Sequence, residues 1–254
     1  MNDVKEMSRT VRSSELFVGI AECEVEEVLS RARAVEFMSG DVIHAEDDPI
    51  ARVLLLMDGR IKKSKCSGNG QEAVLRLGVP GELICEPTFL PRSKHSSTVL
   101  AIQDCKALAW DCTSFNALLD RFPDLLTNVE QILASRLAEL TQRFCEVSNK
   151  TASPRLANGL VYLVGRIGEA VGSHIELRVS QETLGQLTGM TLNSVWLQLS
   201  IWKGQGIVKL RRGIVEIHSL PHLLTCGELA HCPVPKGRLA PKPVNDGLNR
   251  ASTQ

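Results

Sequence analysis

The stretch at residues 174–217 constrains the fold most, because short periodic segments alternate there with glycines. Residues 174–179 (H-I-E-L-R-V) alternate polar and apolar side chains, which predicts a half-buried strand. Ser180 can then cap a short helix with its hydroxyl, and Thr191 can cap a second helix after a break at Gly189. The order is therefore strand, capped helix, tight turn and capped helix.

The second helix should bury one face against the rest of this unit. Three large apolar residues recur on it at the spacing of a buried stripe: Val195, Leu199 and Trp202. Gly204 and Gly206 should end this helix. Two short apolar runs follow at 207–210 and 214–217, joined by Arg211-Arg212-Gly213, which predicts a two-stranded wing with a cationic tip. Two short helices with a tight turn commonly place a helix in the DNA major groove, so the pattern favours DNA binding over a small α/β unit without a partner.

Length and composition permit two domains and argue against export. The chain has 254 residues, of which 43% are hydrophobic, enough for a sizeable core. Its first residues are charged and polar, and the longest strongly apolar run, at 53–57, is far too short to span a bilayer. We therefore expect a cytoplasmic protein. The net charge is zero, but residues 150–254 hold 12 basic and 6 acidic side chains, a local excess compatible with a nucleic-acid partner.

The eight cysteines are expected to be free thiols, because nothing in the sequence predicts secretion and no C-x-x-C pair occurs. Four residues near the C-terminus could ligate zinc: His222, Cys226, His231 and Cys232. Two of them are adjacent and the surrounding segment is rich in Pro and Gly, so we predict no metal site and no cofactor. No Ser/His/Asp, Cys/His or paired-carboxylate constellation stands out, so we predict no enzymatic activity.

The N-terminal part is predicted to form a β-sandwich or barrel-like roll behind a helix at 14–33. Seven short apolar runs separated by turn residues predict strands, at 42–44, 53–57, 61–65, 73–77, 82–85, 98–102 and 107–110. Asp58-Gly59 predicts a type I′ hairpin between the second and third strands, since both central residues of that turn need positive φ. Gly68 and Gly70 suit another hairpin better than a dinucleotide-binding loop, because a strand rather than a helix follows them.

A long helix is predicted after the roll. Thr113-Ser114 can cap a short helix through Arg121, and Pro123 suits the first position of the long one. Apolar residues repeat along the long helix by three and four positions: Leu126, Val129, Leu133, Leu137, Leu140, Phe144 and Val147. Such a seam predicts pairing with the same helix of a second copy, the alternative being a helix packed on its own β-domain.

The segment at 149–152 lacks apolar periodicity and is the predicted domain boundary. Ser153-Pro154 should begin a helix that runs to about Val171. After Leu224 a Pro- and Gly-rich tail is predicted to be disordered. The predicted fold class is α+β, with a jelly-roll-like β-roll at 14–112, the short and long helices at 113–150, a winged helix-turn-helix at 151–224 and the tail at 225–254.

The order of β-roll, long helix, hinge and winged helix-turn-helix resembles the CRP/FNR superfamily of bacterial transcription regulators. Six short motifs within residues 14–224 carry the resemblance: G-D-V-I at 40–43, E-D-D-P at 46–49, L-L-L-M-D-G at 54–59, P-G-E-L at 80–83, S-S-T-V at 96–99 and L-G-Q-L-T-G at 184–189. The resemblance implies a homodimer whose β-roll, similar to a cyclic-nucleotide-binding domain, senses a small signal. Its winged domain would bind promoter DNA, with RNA polymerase as a further partner.

At the ligand pocket the residues depart from those of cyclic-AMP-binding members. Such members carry G-E and, further along the chain, R-S; the Arg and Ser hold the phosphate and the Glu a ribose hydroxyl. The resemblance implies ligand-binding positions at Cys85, Glu86, His95 and Ser96, with Thr141 of the long helix near the base. A neutral His cannot grip a phosphate diester as the bidentate fork of Arg does, so cyclic AMP is not expected. Arg92 and Lys94 stand at the wrong spacing to replace that Arg.

The cysteines bear on two other sensor chemistries of the roll. Oxygen-sensing members of the family hold an iron–sulfur cluster on N-terminal cysteines, whereas only Cys23 lies near the N-terminus here. Cys85 is either a redox-active thiol whose pKa His95 lowers or a plain buried cysteine. The signal itself is not predicted.

The second helix of the winged unit also departs from the family pattern. Many members carry T-x-x-x-V-S-R, in which the Arg reaches a guanine edge, whereas here Trp196-Leu197 stands at the S-R positions. The remaining polar candidates for base contacts are Gln181, Thr191, Asn193, Ser194 and Gln198, and those for phosphate contacts are Lys203, Lys209, Arg211 and Arg212. We interpret the chain as a homodimeric DNA-binding transcription regulator. The alternative is a protein-interaction module whose exposed Leu192, Trp196 and Leu197 bind a protein instead of DNA.

Overall fold

The computed structural model describes residues 10–85 and 93–228, and their fold is α+β as predicted. A 3₁₀ turn (Glu15–Phe17) and helix α1 (Glu22–Ser30) precede the β-roll. Its strands are β1 (Arg33–Phe37), β2 (Val42–His44), β3 (Arg52–Asp58), β4 (Ile61–Cys66), β5 (Glu72–Gly78), β6 (Leu83–Cys85), β7 (Thr98–Ala101) and β8 (Cys105–Asp111). They form two antiparallel sheets, of order β1-β8-β3-β6 and β2-β7-β4-β5.

Strand β3 lies at the centre of the roll because its side chains are buried on both faces. Leu54 and Leu56 pack between the two sheets, whereas Val53, Leu55 and Met57 pack under the helices that cover the first sheet. A strand covered on both faces needs a continuous apolar run rather than an alternating one. The run V-L-L-L-M therefore reflects the position of β3 in the sheet.

The C-terminal half begins with a pair of consecutive helices. Helix α2 (Cys112–Arg121) leads into α3 (Pro123–Asn149), and Pro123 is the first residue of α3 as predicted. The winged unit follows as α4 (Ala152–Ile167), β9 (Glu169–Val171), β10 (His174–Arg178), α5 (Gln181–Thr188), α6 (Leu192–Gly204), β11 (Val208–Arg211), β12 (Ile214–Ile217) and α7 (Leu220–Glu228). Its strands form a third sheet of order β11-β12-β10-β9.

Helix α3 is buried in its first half and exposed in its second. Leu125, Val129 and Ile132 pack against the roll, so the beginning of the helix lies on its own β-domain. Further along, Leu137 is 67% exposed and Phe144 is 72% exposed. Val129 of the predicted apolar seam therefore helps to complete the core of the roll, whereas the later seam residues form a surface that the described part of the chain leaves uncovered.

The predicted hairpin at Asp58-Gly59 is wrong. Strand β3 pairs with β6 and β8, whereas β4 pairs with β5 and β7, so these residues carry the chain from one sheet to the other. Gly59 has a φ of 89°, but the φ of Asp58 is not positive, which excludes a type I′ turn. A side chain at position 59 would collide with the Asp104 carbonyl, so the glycine is needed for this close crossing. The second predicted hairpin is confirmed, because β4 and β5 pair across Gly68 and Gly70.

The N-terminal segment differs from the single predicted helix. Residues 14–33 divide into the 3₁₀ turn and α1, and β1 begins at Arg33. Strand β1 pairs with β8 only and lies at the edge of its sheet. Val35 and Phe37 are partly buried, whereas the first two residues of the strand are exposed, so the alternation covers only the end of β1.

Three predicted helix boundaries are also wrong. Thr113 and Ser153 lie inside α2 and α4 rather than at their caps. Helix α4 ends at Ile167 instead of continuing to about Val171, because residues 169–171 pair with β10 as a strand. Helix α7 reaches Glu228, beyond the predicted start of a loose tail, and the rest of that tail lies outside the described residues.

The winged unit packs against β5 and the turn that follows it. Val74 and Leu77 of β5 belong to the same apolar cluster as the core of the winged unit. Arg166 of α4 donates hydrogen bonds of 2.5 and 2.6 Å to the two carboxylate oxygens of Glu82, and Arg76 donates a third of 2.8 Å. Glu82 precedes β6 directly, so this carboxylate joins the roll to the winged unit.

Candidate functional site

Three local features fix the helix pair α5–α6: two N-cap hydrogen bonds and a glycine in the left-handed conformation. The Ser180 hydroxyl accepts a hydrogen bond of 3.0 Å from the Thr183 amide at the start of α5. The Thr191 hydroxyl accepts one of 3.2 Å from the Ser194 amide at the start of α6. Between them Gly189 has a φ of 63°, the left-handed conformation that glycine adopts at low cost. The predicted turn and both predicted caps are confirmed.

Helix α6 is held by the predicted buried stripe. Val195 and Leu199 are fully buried, and Trp202 is 2% exposed. Gly185 of α5 faces the Met190 carbonyl so closely that an added Cβ would lie 2.7 Å from its oxygen. The turn between the two helices therefore packs closely on α5, and the face of α6 opposite its buried stripe lies at the surface.

The structure separates the predicted base-contacting residues by exposure. Asn193 is exposed in the first turn of α6, whereas Gln198 and Gln181 are half-buried. The hydroxyls of Thr191 and Ser194 lie 2.9 Å apart and already take part in the helix cap. Asn193 is therefore the exposed residue among these five that takes no part in the helix cap.

Large apolar side chains share the surface of α6 with these polar residues. Leu192 is 55% exposed, Trp196 is 58% exposed and Leu197 is 57% exposed. Ile201 lies on the same helix and is also exposed. This apolar surface is the feature that the interaction-module alternative requires.

The wing carries cations that differ in their contacts. Glu176 of β10 and Glu216 of β12 stand opposite each other and are both buried. Arg211 lies 3.1 Å from Glu216 and 3.5 Å from Glu176, and Lys209 lies 3.8 Å from Glu216. Burial would raise the pKa of Glu216, but the hydrogen bond from His218 and the charges of Lys209 and Arg211 hold that pKa below its ordinary value.

The other two predicted phosphate contacts are less constrained. Arg212 is exposed at the tip of the wing, and Lys203 is exposed in the last turn of α6. Within residues 10–85 and 93–228 neither side chain forms an ion pair. The sequence identified all four cations, but it could not show that Lys209 and Arg211 neutralise carboxylates of the sheet.

The pocket of the roll brings Cys85 and His95 together with a residue that the sequence did not single out. The Cys85 sulfur lies 3.0 Å from Nδ1 of His44, and the imidazole rings of His44 and His95 stack with centroids 3.6 Å apart. A β-bulge between Val42 and His44 shifts the register of β2. A bulge interrupts the alternation of inward and outward side chains along a strand. The sequence pattern therefore did not predict that His44 is buried inside the roll.

The remaining pocket predictions do not converge on this cluster. Ser96 is exposed, and its carbonyl accepts a hydrogen bond of 3.1 Å from Lys65. Thr141 is exposed on α3, and its hydroxyl donates to the Leu137 carbonyl of the same helix. Glu86 and Arg92 lie outside the described residues, and Lys94 is exposed.

Two family models match the chain on either side of α3. The cyclic nucleotide-binding domain matches residues 34–122, and the Crp-like helix-turn-helix domain matches residues 154–226, so together they cover more than half of the chain. A cyclic AMP receptor protein of Thermus thermophilus is 28% identical over 207 residues, which span 82% of this chain and 94% of the relative. A CRP-like cAMP-activated global transcriptional regulator of Mycobacterium tuberculosis is 20% identical over 206 residues, or 80% and 92% of the two chains.

Solved structures share the fold. FixK2 from Bradyrhizobium japonicum superposes with a TM-score of 0.68 at 21% identity, covering 77% of this chain and 96% of that chain. The β-roll followed by the capped helix pair defines a protein that joins a cyclic-nucleotide-binding fold to a Crp-like helix-turn-helix. This chain belongs to the CRP/FNR family of transcription regulators. Among the described helices none is long and apolar enough to cross a membrane.

Proposed function

We propose that this chain regulates transcription as a homodimer that binds promoter DNA through α6 and the wing, under the control of a signal at the β-roll. The helix pair α5–α6 carries the proposal, because two side-chain caps and a left-handed glycine hold the second helix at the surface. A helix presented in this way enters the major groove with its N-terminal residues against base edges.

Asn193 is the proposed base-reading residue. Its amide nitrogen can donate to N7 of adenine while its amide oxygen accepts from the exocyclic N6 amino group, and the side chain is exposed in the first turn of α6. Arg212 at the tip of the wing and Lys203 in the last turn of α6 are both exposed, and they would meet phosphates. The Trp196-Leu197 pair replaces the common family residues, so the half-site should differ from that of relatives with an Arg there.

The proposed homodimer forms through the second half of α3. Five apolar residues of the predicted seam are more than a third exposed: Leu133, Leu137, Leu140, Phe144 and Val147. They lie on one helix, and all five follow the residues of α3 that pack against the roll. A second copy of α3 would cover them and remove this apolar area from water.

The proposed signal is not a cyclic nucleotide. His95 stands where the resemblance places the phosphate-binding Arg, and it is buried against His44 rather than directed from an exposed loop. A neutral imidazole provides neither the fixed positive charge nor the two parallel donors that hold a phosphate diester. The pocket chemistry of this chain is that of two imidazoles and a thiol.

Selection of genomic DNA fragments by the purified full chain tests the proposal. We expect one enriched sequence motif with two-fold symmetry. Asn193→Ala should relax the preference at one base pair of each half-site, for about 1–3 kcal/mol of discrimination. Gln103→Ala is the matched control, because this amide is exposed in the roll, far along the chain from α6, and the motif should not change.

The apolar surface of α6 supports one rival function. If no motif is enriched, while Trp196→Ala abolishes binding to a protein partner and leaves thermal unfolding unchanged, the interaction module replaces the regulator. An aromatic residue at the centre of a protein interface commonly contributes about 2 kcal/mol or more, so its loss would be measurable.

A further inference from the structure

Three potential metal ligands converge inside the β-roll. Sulfur and ring-nitrogen atoms of His44, Cys85 and His95 all lie within 4.8 Å of one another. Cys85 is 2% exposed, His44 is 8% exposed and His95 is 9% exposed. They come from β2, from the last position of β6 and from the segment before β7, so both sheets contribute to the cluster.

We propose that these three residues bind one transition-metal ion of the zinc class. Thiolate and imidazole are the ligands that Zn²⁺ prefers in proteins, whereas the hard cations Mg²⁺ and Ca²⁺ prefer oxygen. Three protein ligands on a tetrahedral ion leave one position for an exogenous ligand such as water. The site requires the two neutral imidazoles and the thiolate, so binding releases the Cys85 proton to solvent and leaves a net charge of +1 on the ion with its three ligands.

The position of the cluster gives the proposed ion a structural role. His44 belongs to the second sheet and Cys85 to the first, so a shared ion would cross-link the two sheets of the roll. Anything that binds the folded state and not the unfolded chain raises stability by mass action. Removal of the ion should therefore lower the unfolding temperature of the roll.

A second group of possible ligands lies in the wing and must be distinguished from the first. His174, Glu176 and Glu216 also bring three donor atoms within 4.8 Å. Arg211 and Lys209 already lie beside these carboxylates, and their positive charges oppose a cation at that point. This group contains no sulfur, so a thiolate signature separates the two sites.

The test is a metal titration of the full chain after treatment with a chelator. We expect one Zn²⁺ per chain in competition with a chromophoric chelator, and we expect bound Co²⁺ to give a thiolate-to-metal charge-transfer band. Cys85→Ser and His44→Gln should each weaken binding by roughly a hundredfold or more, since even second-shell changes cost 10–100-fold. Cys105→Ser is the matched control, because Cys105 is another buried cysteine of the same roll whose sulfur donates to backbone carbonyls; its affinity should equal that of the wild type.

Three results would overturn the proposal: no stoichiometric uptake by the folded chain, a Co²⁺ spectrum without the thiolate band, or wild-type affinity in Cys85→Ser. Thermal unfolding is measured for each variant, and His95→Gln replaces any variant that fails to fold. Binding that is lost in His174→Gln but retained in Cys85→Ser would place the ion in the wing and also refute the site. None of these measurements involves DNA, so the metal site can fail while the proposed function stands.

Discussion

At the scale of single residues, the two adjacent arginines of the wing are not equivalent. Arg211 already lies beside the buried carboxylates of Glu176 and Glu216, whereas Arg212 is exposed at the tip. Binding to phosphate releases condensed counterions only to the extent that a cation is available to neutralise that phosphate. Arg212 should therefore contribute more to DNA affinity, although the sequence presents the two residues as a pair.

Arg212→Ala should weaken binding to every duplex alike, because phosphate contacts do not depend on sequence. The slope of log affinity against log salt should fall by about one unit. Fluorescence anisotropy of a labelled duplex over a series of salt concentrations measures this slope. Arg33→Ala, an exposed cation of the roll, is the control and should leave the slope unchanged. An unaltered slope in Arg212→Ala would remove the wing tip from the interface.

At the scale of elements, two N-cap threonines provide a matched comparison. The Thr191 hydroxyl accepts a hydrogen bond from the Ser194 amide at the start of α6, whereas Thr151 precedes α4 without a side-chain cap bond. Thr191→Ala should lower the free energy of unfolding by about 1 kcal/mol, and Thr151→Ala should lower it by much less. Urea denaturation measures both variants. Equal losses would show that the cap bond does not stabilise α6.

Local patterns predicted the elements that local interactions determine. The caps at Ser180 and Thr191 and the stripe of α6 depend on residues within one or two turns, and all are present. Strand β1 was missed because its pairing at a sheet edge comes from β8, far along the chain. The hairpin at Asp58-Gly59 failed for the same reason, since turn propensity does not specify which strand receives the chain.

The same distinction between local interactions and contacts from far along the chain applies to the candidate site. The exposed Asn193 follows from the local helix pattern and the cationic wing from the two short strand patterns, whereas the ion pairs of Arg211 follow from the register that places Glu176 opposite Glu216. His44 reaches Cys85 through a bulge and across 41 positions of sequence. No periodicity in the sequence reports such a contact.

At the scale of the whole molecule, Glu82 joins the roll to the winged unit. It accepts hydrogen bonds from Arg76 of β5 and from Arg166 of α4. Burial would raise the pKa of Glu82, but the hydrogen bond and charge of Arg76, together with the charge of Arg166, bring that pKa below its ordinary value of 4.5. Cys85 lies at the far end of the short strand that begins after Glu82. Cys85 of the pocket is therefore three positions along the chain from the carboxylate at the interface between the domains.

The lowered pKa of Glu82 has a defined consequence for stability. Its contribution should be fully present above pH 4.5 and should be lost as the pH falls through the depressed folded-state value. Glu82→Gln should cost about 1–3 kcal/mol at neutral pH, because it leaves the half-buried guanidinium groups of Arg76 and Arg166 with only the longer ion pairs to Glu139, at 3.5 and 3.9 Å. Its stability should then change less than that of the wild type on acidification.

Chemical denaturation at neutral and acidic pH measures this difference. Glu22→Gln is the control, because Glu22 and Arg12 form a pair in which both side chains are more than 70% exposed. An exposed pair of this kind contributes little to stability. A Glu82→Gln variant as stable as the Glu22→Gln variant at neutral pH would contradict the role assigned to the interface.

The proposed assembly rests on the exposed half of α3. Leu137→Glu together with Phe144→Glu should give monomers, since both side chains are exposed in the single chain and would meet their copies in a dimer. Substitution there should spare the core of the roll, which uses Leu125, Val129 and Ile132 instead. Light scattering at micromolar concentration measures the mass. A wild type that is already monomeric would contradict the seam.

Hydroxyl-radical footprinting of the full chain on an enriched duplex tests the regulator account most directly, because it reports DNA contact, symmetry and spacing together. Two copies of α6 held by one dimer should protect two half-sites related by two-fold symmetry and about one helical turn apart, roughly 34 Å. Asn193→Ala should weaken both protected regions on this duplex. Absence of protection at saturating protein, or a single protected region in an intact dimer, would contradict the account.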